Sequence, residues 1–530
     1  YTGVSTSQTK DAAGNITTAT DPGGTITYSY YSDGNTKSIS APDGSVTSFT
    51  FDEYGRQKTL TDPDAGLNIY VYNAFGELAE QTDANGNHFK MTYDKTGRLI
   101  EKECLSDGTI TSYVYNDITA QQGSRGVLAY VSFTDDNSKT SSYSYSYDEY
   151  SRLQQKTITI DQPFVFHYTY TSSGELENYS FPDGFSIKYQ YDNNGFLTSV
   201  LNSETNEIIY APGSTNQRGQ LLDYTIADGQ LFRTMTYDAF GFPINIEAGS
   251  NAGGSNIQNL QTQFDQYTGN LLWRKDLNKN LTESFSYDNV HHNLLTGWSV
   301  NGQQPITMSY NSDNGNILTK SDVTSAGSQY QYDISGKPHA LVLIPDPVQL
   351  PAEEFQSVDY NCFNSVEKIA HATEQKILKI QYGPDEQRIK TDYYTDNTTL
   401  TETKYFVGGD FEVIENHETD IISYHHYLPG GGLYVTNSDE TENMYYVLTD
   451  YQGNWNKVIA EDGSTVEEYS FDPWGRRRNS DDWTYSGVPT DFVFDRGYTG
   501  HEHLDEFGLI NMNGRMYDPV VARFLSPDNF

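Results

Sequence analysis

A chain of 530 residues with 44 Gly and 43 Tyr but only 6 Met and 5 Trp, and with 36% apolar residues, lacks the makings of one compact helical core. Its 72 acidic against 33 basic side chains give a net charge of −39, so nucleic acid, which needs clustered Lys and Arg, is not an expected partner. No run of about 18 apolar residues is present, so no membrane span is expected. The two cysteines, Cys104 and Cys362, permit one disulfide but neither a disulfide framework nor a thiolate metal site.

The first residues, Tyr1 to Lys10, lack the charged and apolar regions of a signal peptide. The chain opens inside a strand-like pattern without an initiator methionine and is expected to be a piece of something longer. From there an aromatic, then Asp or Asn, then a turn with Gly recurs. It appears as Phe51-Asp-Glu-Tyr-Gly-Arg56, Tyr72-Asn-Ala-Phe-Gly-Glu-Leu78 and Tyr93-Asp-Lys-Thr-Gly-Arg-Leu99. It returns as Tyr147-Asp-Glu-Tyr-Ser-Arg-Leu153, Tyr170-Thr-Ser-Ser-Gly-Glu-Leu176 and Tyr191-Asp-Asn-Asn-Gly-Phe-Leu197, with further copies from Tyr237, Phe264, Tyr287, Tyr310 and Tyr332. Adjacent copies lie about 21 to 23 residues apart, half the spacing of a four-stranded propeller blade.

A second turn, such as Pro42-Asp-Gly44, Pro182-Asp-Gly184 or Ala227-Asp-Gly229, falls between many copies. Each repeat therefore holds two strands of about 6 to 8 residues and two turns. The runs between turns alternate, as in Thr25-Ile-Thr-Tyr-Ser-Tyr30, giving a strand with an aromatic and a polar face. Tyrosine suits such a wall because the ring buries while the hydroxyl stays hydrated. A lone hairpin is barely stable; stacked hairpins bury the aromatic face and pair their edges. The fold class expected is all-β: a long spiralling antiparallel β-hairpin array.

Further along, residues 248 to 258 read as a flexible hairpin tip. Ala340-Leu-Val-Leu-Ile-Pro-Asp-Pro347 departs from the repeat and reads as an insertion, or a strand followed by a loop. Gly430-Gly-Gly432 reads as a loop and a chain reversal between the repeat wall and a C-terminal core. The basic cluster Arg476-Arg-Arg478 reads first as a solvated turn and second as a salt-bridge anchor against an acidic wall. His291-His292, His425-His426 and His501-Glu-His503 invite a metal reading, but each lacks a third ligand nearby and is taken as structural. No phosphate loop, nucleophile elbow or dinucleotide fingerprint stands out, so no cofactor and no metal is expected.

The Tyr-Asp-x-x-Gly-Arg-Leu pattern resembles the YD repeat of the Rhs family, also seen in C components of insecticidal Tc toxins and in teneurins. The stretches Thr449-Asp-Tyr-Gln-Gly-Asn454, Glu468-Tyr-Ser-Phe-Asp-Pro-Trp-Gly-Arg476 and Arg496-Gly-Tyr-Thr-Gly-His501 are similar to the Rhs-associated core. So are Leu509-Ile-Asn-Met-Asn-Gly-Arg-Met-Tyr-Asp-Pro519 and Arg523-Phe-Leu-Ser-Pro-Asp528. The resemblance implies a YD-repeat β-shell over 1–440, hollow and cocoon-like, and a core region over 441–530 that seals one end. It implies a secreted polymorphic toxin of bacterial competition, whose shell encapsulates its own C-terminal toxin domain, absent here, and meets secretion-system or N-terminal plug components. It also implies aspartyl self-cleavage near Arg515, Asp518 and Asp528, with the later Asp-Pro-x-Gly element of that motif missing from this chain. Asp518 before Pro519 is also a common turn, and Arg515 a partner for one of these acids.

The leading expectation is thus a container and not an ordinary enzyme. Acidic walls attracting a basic cargo would extend it, whereas the bland reading of the charge is solubility. The alternative is a cell-surface adhesion or carbohydrate-binding protein, with aromatic rings stacking on glycans. A free-standing hydrolase has no supporting motif.

Overall fold

The repeat signature becomes a set of contacts in the computed structural model, which describes residues 5–117, 119, 124–288, 293–333, 336–349, 351 and 356–527. In the copy that starts at Tyr147, Asp148 closes the turn. Its backbone N–H donates to the Arg152 carbonyl at 3.0 Å. Its Oδ1 accepts the backbone N–H groups of Tyr150 (2.9 Å) and Arg152 (3.0 Å). Its Oδ2 accepts Arg152 Nε–H at 2.7 Å. One carboxylate thus satisfies two backbone donors that a tight turn leaves without partners and one guanidinium N–H. The fifth position needs a left-handed backbone: Gly55, Gly76 and Gly97 supply it, and Ser151 adopts φ +66° in the same place.

The signature also joins one repeat to the next. The Arg152 guanidinium lies 4.5 Å from the centre of the Tyr170 ring, and the Tyr170 hydroxyl donates to the Leu153 carbonyl at 2.7 Å. The same bond links Tyr93 to Leu78, Tyr191 to Leu176, Tyr287 to Leu271 and Tyr310 to Leu295. These hydroxyls bond protein carbonyls, which corrects the expectation that they stay hydrated. A bulge precedes the motif aromatic in copy after copy, as between Ser146 and Tyr147 and between Val71 and Tyr72. It turns the ring out of strict alternation.

Built this way, the strands from Ser7–Lys10 to Ile317–Lys320 form one 28-stranded sheet. Each pairs antiparallel with the next in sequence, for example Ser142↔Thr159 and Gln155↔His167. A second sheet of 11 strands runs from Gln356–Tyr360 to Thr465–Glu468. Smaller two- and four-stranded sheets follow at the C-terminal end. The all-β hairpin array expected from the sequence is the observed fold. Among the described residues the only helical pieces are 3-10 turns, such as Tyr498–Gly500.

The middle of the large sheet lies against the second sheet. Phe166, Phe181, Ile187, Val200 and Ile226 share a core with Val407, Phe411, Val413, Leu448 and Ile459. Phe166 meets Phe411 edge-on at 6.2 Å. Full burial of each such side chain contributes about 1.5–3 kcal/mol. Toward the N-terminal end, along Gly66–Tyr72, the half-buried Asn68, Tyr70 and Tyr72 alternate with Leu67, Ile69 and Val71, which are exposed on the opposite face of the sheet.

The Gly-rich segment at 248–258 does join two strands, Pro243–Gly249 and Gln258–Phe264. Ala340–Leu343 belongs to the strand Lys337–Leu343 and the following residues to a loop. The reversal at Gly430-Gly-Gly432 lies within the second sheet, between Ile421–Leu428 and Gly432–Asn437, and not between wall and core. Gly430 has φ +75°, and a Cβ there would stand 2.3 Å from Tyr210 of the large sheet. The 440/441 boundary falls in the turn before Glu442–Thr449, a strand of that same sheet.

Candidate functional site

After Thr465–Glu468 the chain leaves the second sheet and is wedged against both sheets. Trp474 and Val521 pack with Trp298 and Met308 of the large sheet. Phe507, Leu509 and Met516 pack with Ile369 and Leu378 of the second. Buried charges fix the wedge. Arg478 Nη1 and Nη2 donate to Glu283 at 2.6 and 2.9 Å, and Arg274 Nε donates to the same carboxylate at 2.7 Å. Glu283 is 0% exposed, and its two guanidinium neighbours hold its pKa below the usual range despite burial. Arg477 pairs with Asp505 at 2.9 Å, and Arg476 stacks on Tyr485 at 4.0 Å. The solvated-turn reading of Arg476-Arg-Arg478 is therefore overturned: the cluster is an anchor. Its preceding turn repeats the motif, with buried Asp472 accepting the Trp474 and Arg476 N–H groups at 2.8 and 2.9 Å.

A second ionic cluster joins the wedge to the second sheet. Buried Lys404 reaches Glu412 (3.1 Å), Asp495 (2.5 Å) and Glu502 (3.1 Å). Arg388 pairs with Glu502, and Arg496 with Glu412 at 2.6 Å. Burial and the two other carboxylates push Asp495 up to about 7. Arg388 and Lys404 outweigh burial at Glu502 and hold it down at about 2. Glu502 thus faces the cluster, opposite in role to its neighbours. His503 accepts the Tyr498 N–H at 3.0 Å, and His501 Nδ1 meets Thr499 Oγ1 at 2.7 Å. Burial lowers both histidine pKa values. His425 is pushed down to about 4, while His426 lies 2.9 Å from both the Tyr434 carbonyl and Asp183. Each of these histidines is held by contacts within the fold, His425 edge-on to Phe494; His291-His292 lies outside the described residues.

The candidate self-cleavage residues sit within this wedge. Asp518 ends the strand Met516–Asp518 and is fully buried. Its Oδ1 accepts the Val520 and Val521 N–H groups at 2.8 and 3.2 Å, a turn across Pro519. Arg515 stacks on Phe524 at 4.0 Å. Both line a cleft of about 690 Å³ whose far side is Asp62, Asp64 and His339. Asp528 lies outside the described residues. The geometry brings Arg515 and Asp518 to one cleft and fixes Asp518 as a turn residue.

Sequence reasoning missed the opposite bank. His339 Nδ1 is 2.6 Å from Asp64 and Nε2 is 3.3 Å from Asp43, so one ring bridges two turns of the large sheet. It also missed a cluster away from the wedge: Cys104, Asp107 and Cys362 place their ligand atoms within 4.8 Å of one another.

Among known proteins, a family model described as RHS Repeat matches residues 30–66 and 72–103. Salivary gland surface protein 1 of Aedes aegypti is 28% identical over 193 residues, 30% of this chain and 6% of that protein. The crystal structure of TcdB2-TccC3 without its hypervariable C-terminal region aligns with 99% of this chain and 30% of its own, at TM-score 0.66 and 13% identity. TcdB2-TccC3-Cdc42 aligns with 99% and 30%, at TM-score 0.65 and 14% identity. The Tc holotoxin pore of Photorhabdus luminescens aligns with 99% and 29%, at TM-score 0.60 and 14% identity. The chain thus spans about a third or less of these relatives, and the likeness to the solved structures is one of fold.

Proposed function

We propose that this chain, whose repeats match the RHS Repeat family over residues 30–66 and 72–103, is part of the wall of a shell that encloses a polypeptide carried by the same protein or assembly. The observation that carries the reading is the alignment of 99% of the chain with the TcdB2-TccC3 fold. The fold is shared with TcdB2-TccC3 without its hypervariable C-terminal region and with TcdB2-TccC3-Cdc42. The work of such a protein is scaffolding, and its place is outside the producing cell, as for a surface protein and a toxin pore. Among the described residues no helix is long and apolar enough to cross a membrane.

The 441–530 region is the seal of this shell, and Arg515, Asp518 and Asp528 its self-cleavage residues. The support is the shared cleft of Arg515 and Asp518 and a carboxylate held by backbone donors. The test uses the natural full-length protein. Two fragments should appear on denaturation of the wild type, one intact chain for Asp518→Asn, and in both the passenger should resist protease until the shell is unfolded. A passenger digested at the rate of free polypeptide would overturn the container. An Asp518→Asn protein that is still cut would overturn the assignment of the site alone.

A second reading, adhesion to carbohydrate, draws on exposed rings at the motif turns, Phe75 at 89% and Tyr54 at 74%. Glycan-array binding lost when both rings become Ala would favour it; an array without hits would end it.

A further inference from the structure

We propose that Cys104, Asp107 and Cys362 form a site for a thiophilic divalent cation of the zinc class, which staples the large sheet to the second sheet. Cys104 ends the strand Leu99–Cys104 of the large sheet. The next turn returns Asp107 to it: Gly108 N–H donates to the Cys104 carbonyl at 2.8 Å, and Thr109 N–H to Asp107 Oδ1 at 2.9 Å. That second bond orients the carboxylate, as outer-shell donors do at metal sites. Cys362 comes from the turn between Gln356–Tyr360 and Val366–His371 of the second sheet. Asn364 of that turn bonds Asp83 at 2.8 Å and Asn85 at 2.7 Å, which seats it on the large sheet. Both cysteines are buried, with Phe89, Met91 and Phe363 around them, while Asp107 stands on the exposed side.

The position of the carboxylate favours a cation over a disulfide: a disulfide would use the two sulfurs alone, whereas Asp107 places a third ligand atom within 4.8 Å of both. Asp107 has no Lys, Arg or His within ion-pair distance among the described residues. A zinc-class ion uses all three groups, at about 2.3 Å to sulfur and 2.0–2.2 Å to oxygen. These bonds set ligand atoms roughly 3.5–4 Å apart around a tetrahedron, within the observed 4.8 Å. Binding deprotonates both thiols, so two protons pass to solvent for each ion. The fourth position opens toward solvent beside Asp107, where water completes the coordination.

The test titrates the reduced, chelator-stripped chain with Co²⁺ and then Zn²⁺. A thiolate-to-cobalt absorption should saturate at one ion per chain and vanish on Zn²⁺ addition. Zn²⁺ should raise the unfolding temperature of the wild type. Cys362→Ser should abolish the absorption, and Asp107→Asn, on an exposed turn that leaves the fold intact, should weaken binding at least tenfold. No absorption, or one that both substitutions leave unchanged, would overturn the site. So would a purified chain lighter by two hydrogens with no thiol titratable after unfolding, which is the disulfide outcome.

Discussion

The hydroxyl of Tyr170 lies 2.7 Å from the carbonyl oxygen of Leu153, one repeat earlier, and the Arg152 guanidinium covers its ring. Every letter of Tyr-Asp-x-x-Gly-Arg-Leu then has a task. Asp and Gly close a turn, Arg braces that turn and caps the next tyrosine, and the leucine carbonyl accepts the hydrogen bond of that tyrosine's hydroxyl. The motif describes the joint between repeats as much as the repeat itself, which is why it recurs with an intact spacing.

Tyr170→Phe should therefore destabilise the array by about 1 kcal/mol, since the Leu153 carbonyl loses a neutral hydrogen bond and little packing. Tyr191→Phe, which frees the Leu176 carbonyl, should cost a similar amount. Urea unfolding of each variant gives the values. A tyrosine that merely fills space would show no loss, because Phe fills it equally.

Glu283 holds two guanidinium groups, so its loss should be worse than the loss of either. Arg478→Ala leaves Glu283 with Arg274 and should cost about 3 kcal/mol, in the range for breaking a buried ion pair. Glu283→Ala leaves Arg274 and Arg478 buried together without an anion and should cost more, or prevent folding of the wedge. Thermal unfolding of both variants ranks them. The reverse order would contradict Glu283 as the shared anion of the two arginines, and no loss in either variant would mean that the wedge is held by packing alone.

The Lys404 cluster predicts a pH dependence with two limbs. Asp495 rises from 3.8 to about 7 on folding, so the folded state takes up its proton more readily. Its contribution is full below about pH 4 and is lost as pH rises through about 7. Glu502 falls from 4.5 to about 2, so its contribution is full above about pH 4.5 and lost as pH falls through about 2. These values belong to a network sharing one ammonium, and the partial exposure of Asp495, 37%, tempers its burial cost. Asp495→Asn should flatten the fall in unfolding temperature between about pH 5 and about pH 7.5. An equally steep fall in the variant would place the titrating group elsewhere.

The large sheet was legible because its signals are local: turn chemistry at Asp148 or Gly97 and period-two runs such as 25–30 depend on neighbours in sequence. Arg478 was misread for the opposite reason. A triple-arginine run looks solvated until Glu283, on a strand of the distant large sheet, is brought to it. The same distance hid Asp107 as a partner for Cys362 and Asp64 as a partner for His339. Asp518 was found through a resemblance, and its turn across Pro519 was anticipated from the Asp-Pro dipeptide itself. Pairings within a repeat follow from the repeat; pairings between sheets follow from how far the array has curled, which no single window of sequence records.

The proposed wall continues, hairpin to hairpin, around a space occupied by another polypeptide. Electron cryomicroscopy of the natural full-length protein tests this most directly. It should show the 28-stranded and 11-stranded sheets as stretches of one closed wall, with density for the passenger inside it. A passenger folded as a separate globule outside, or sheets that end as a free-standing sandwich with nothing enclosed, would contradict it.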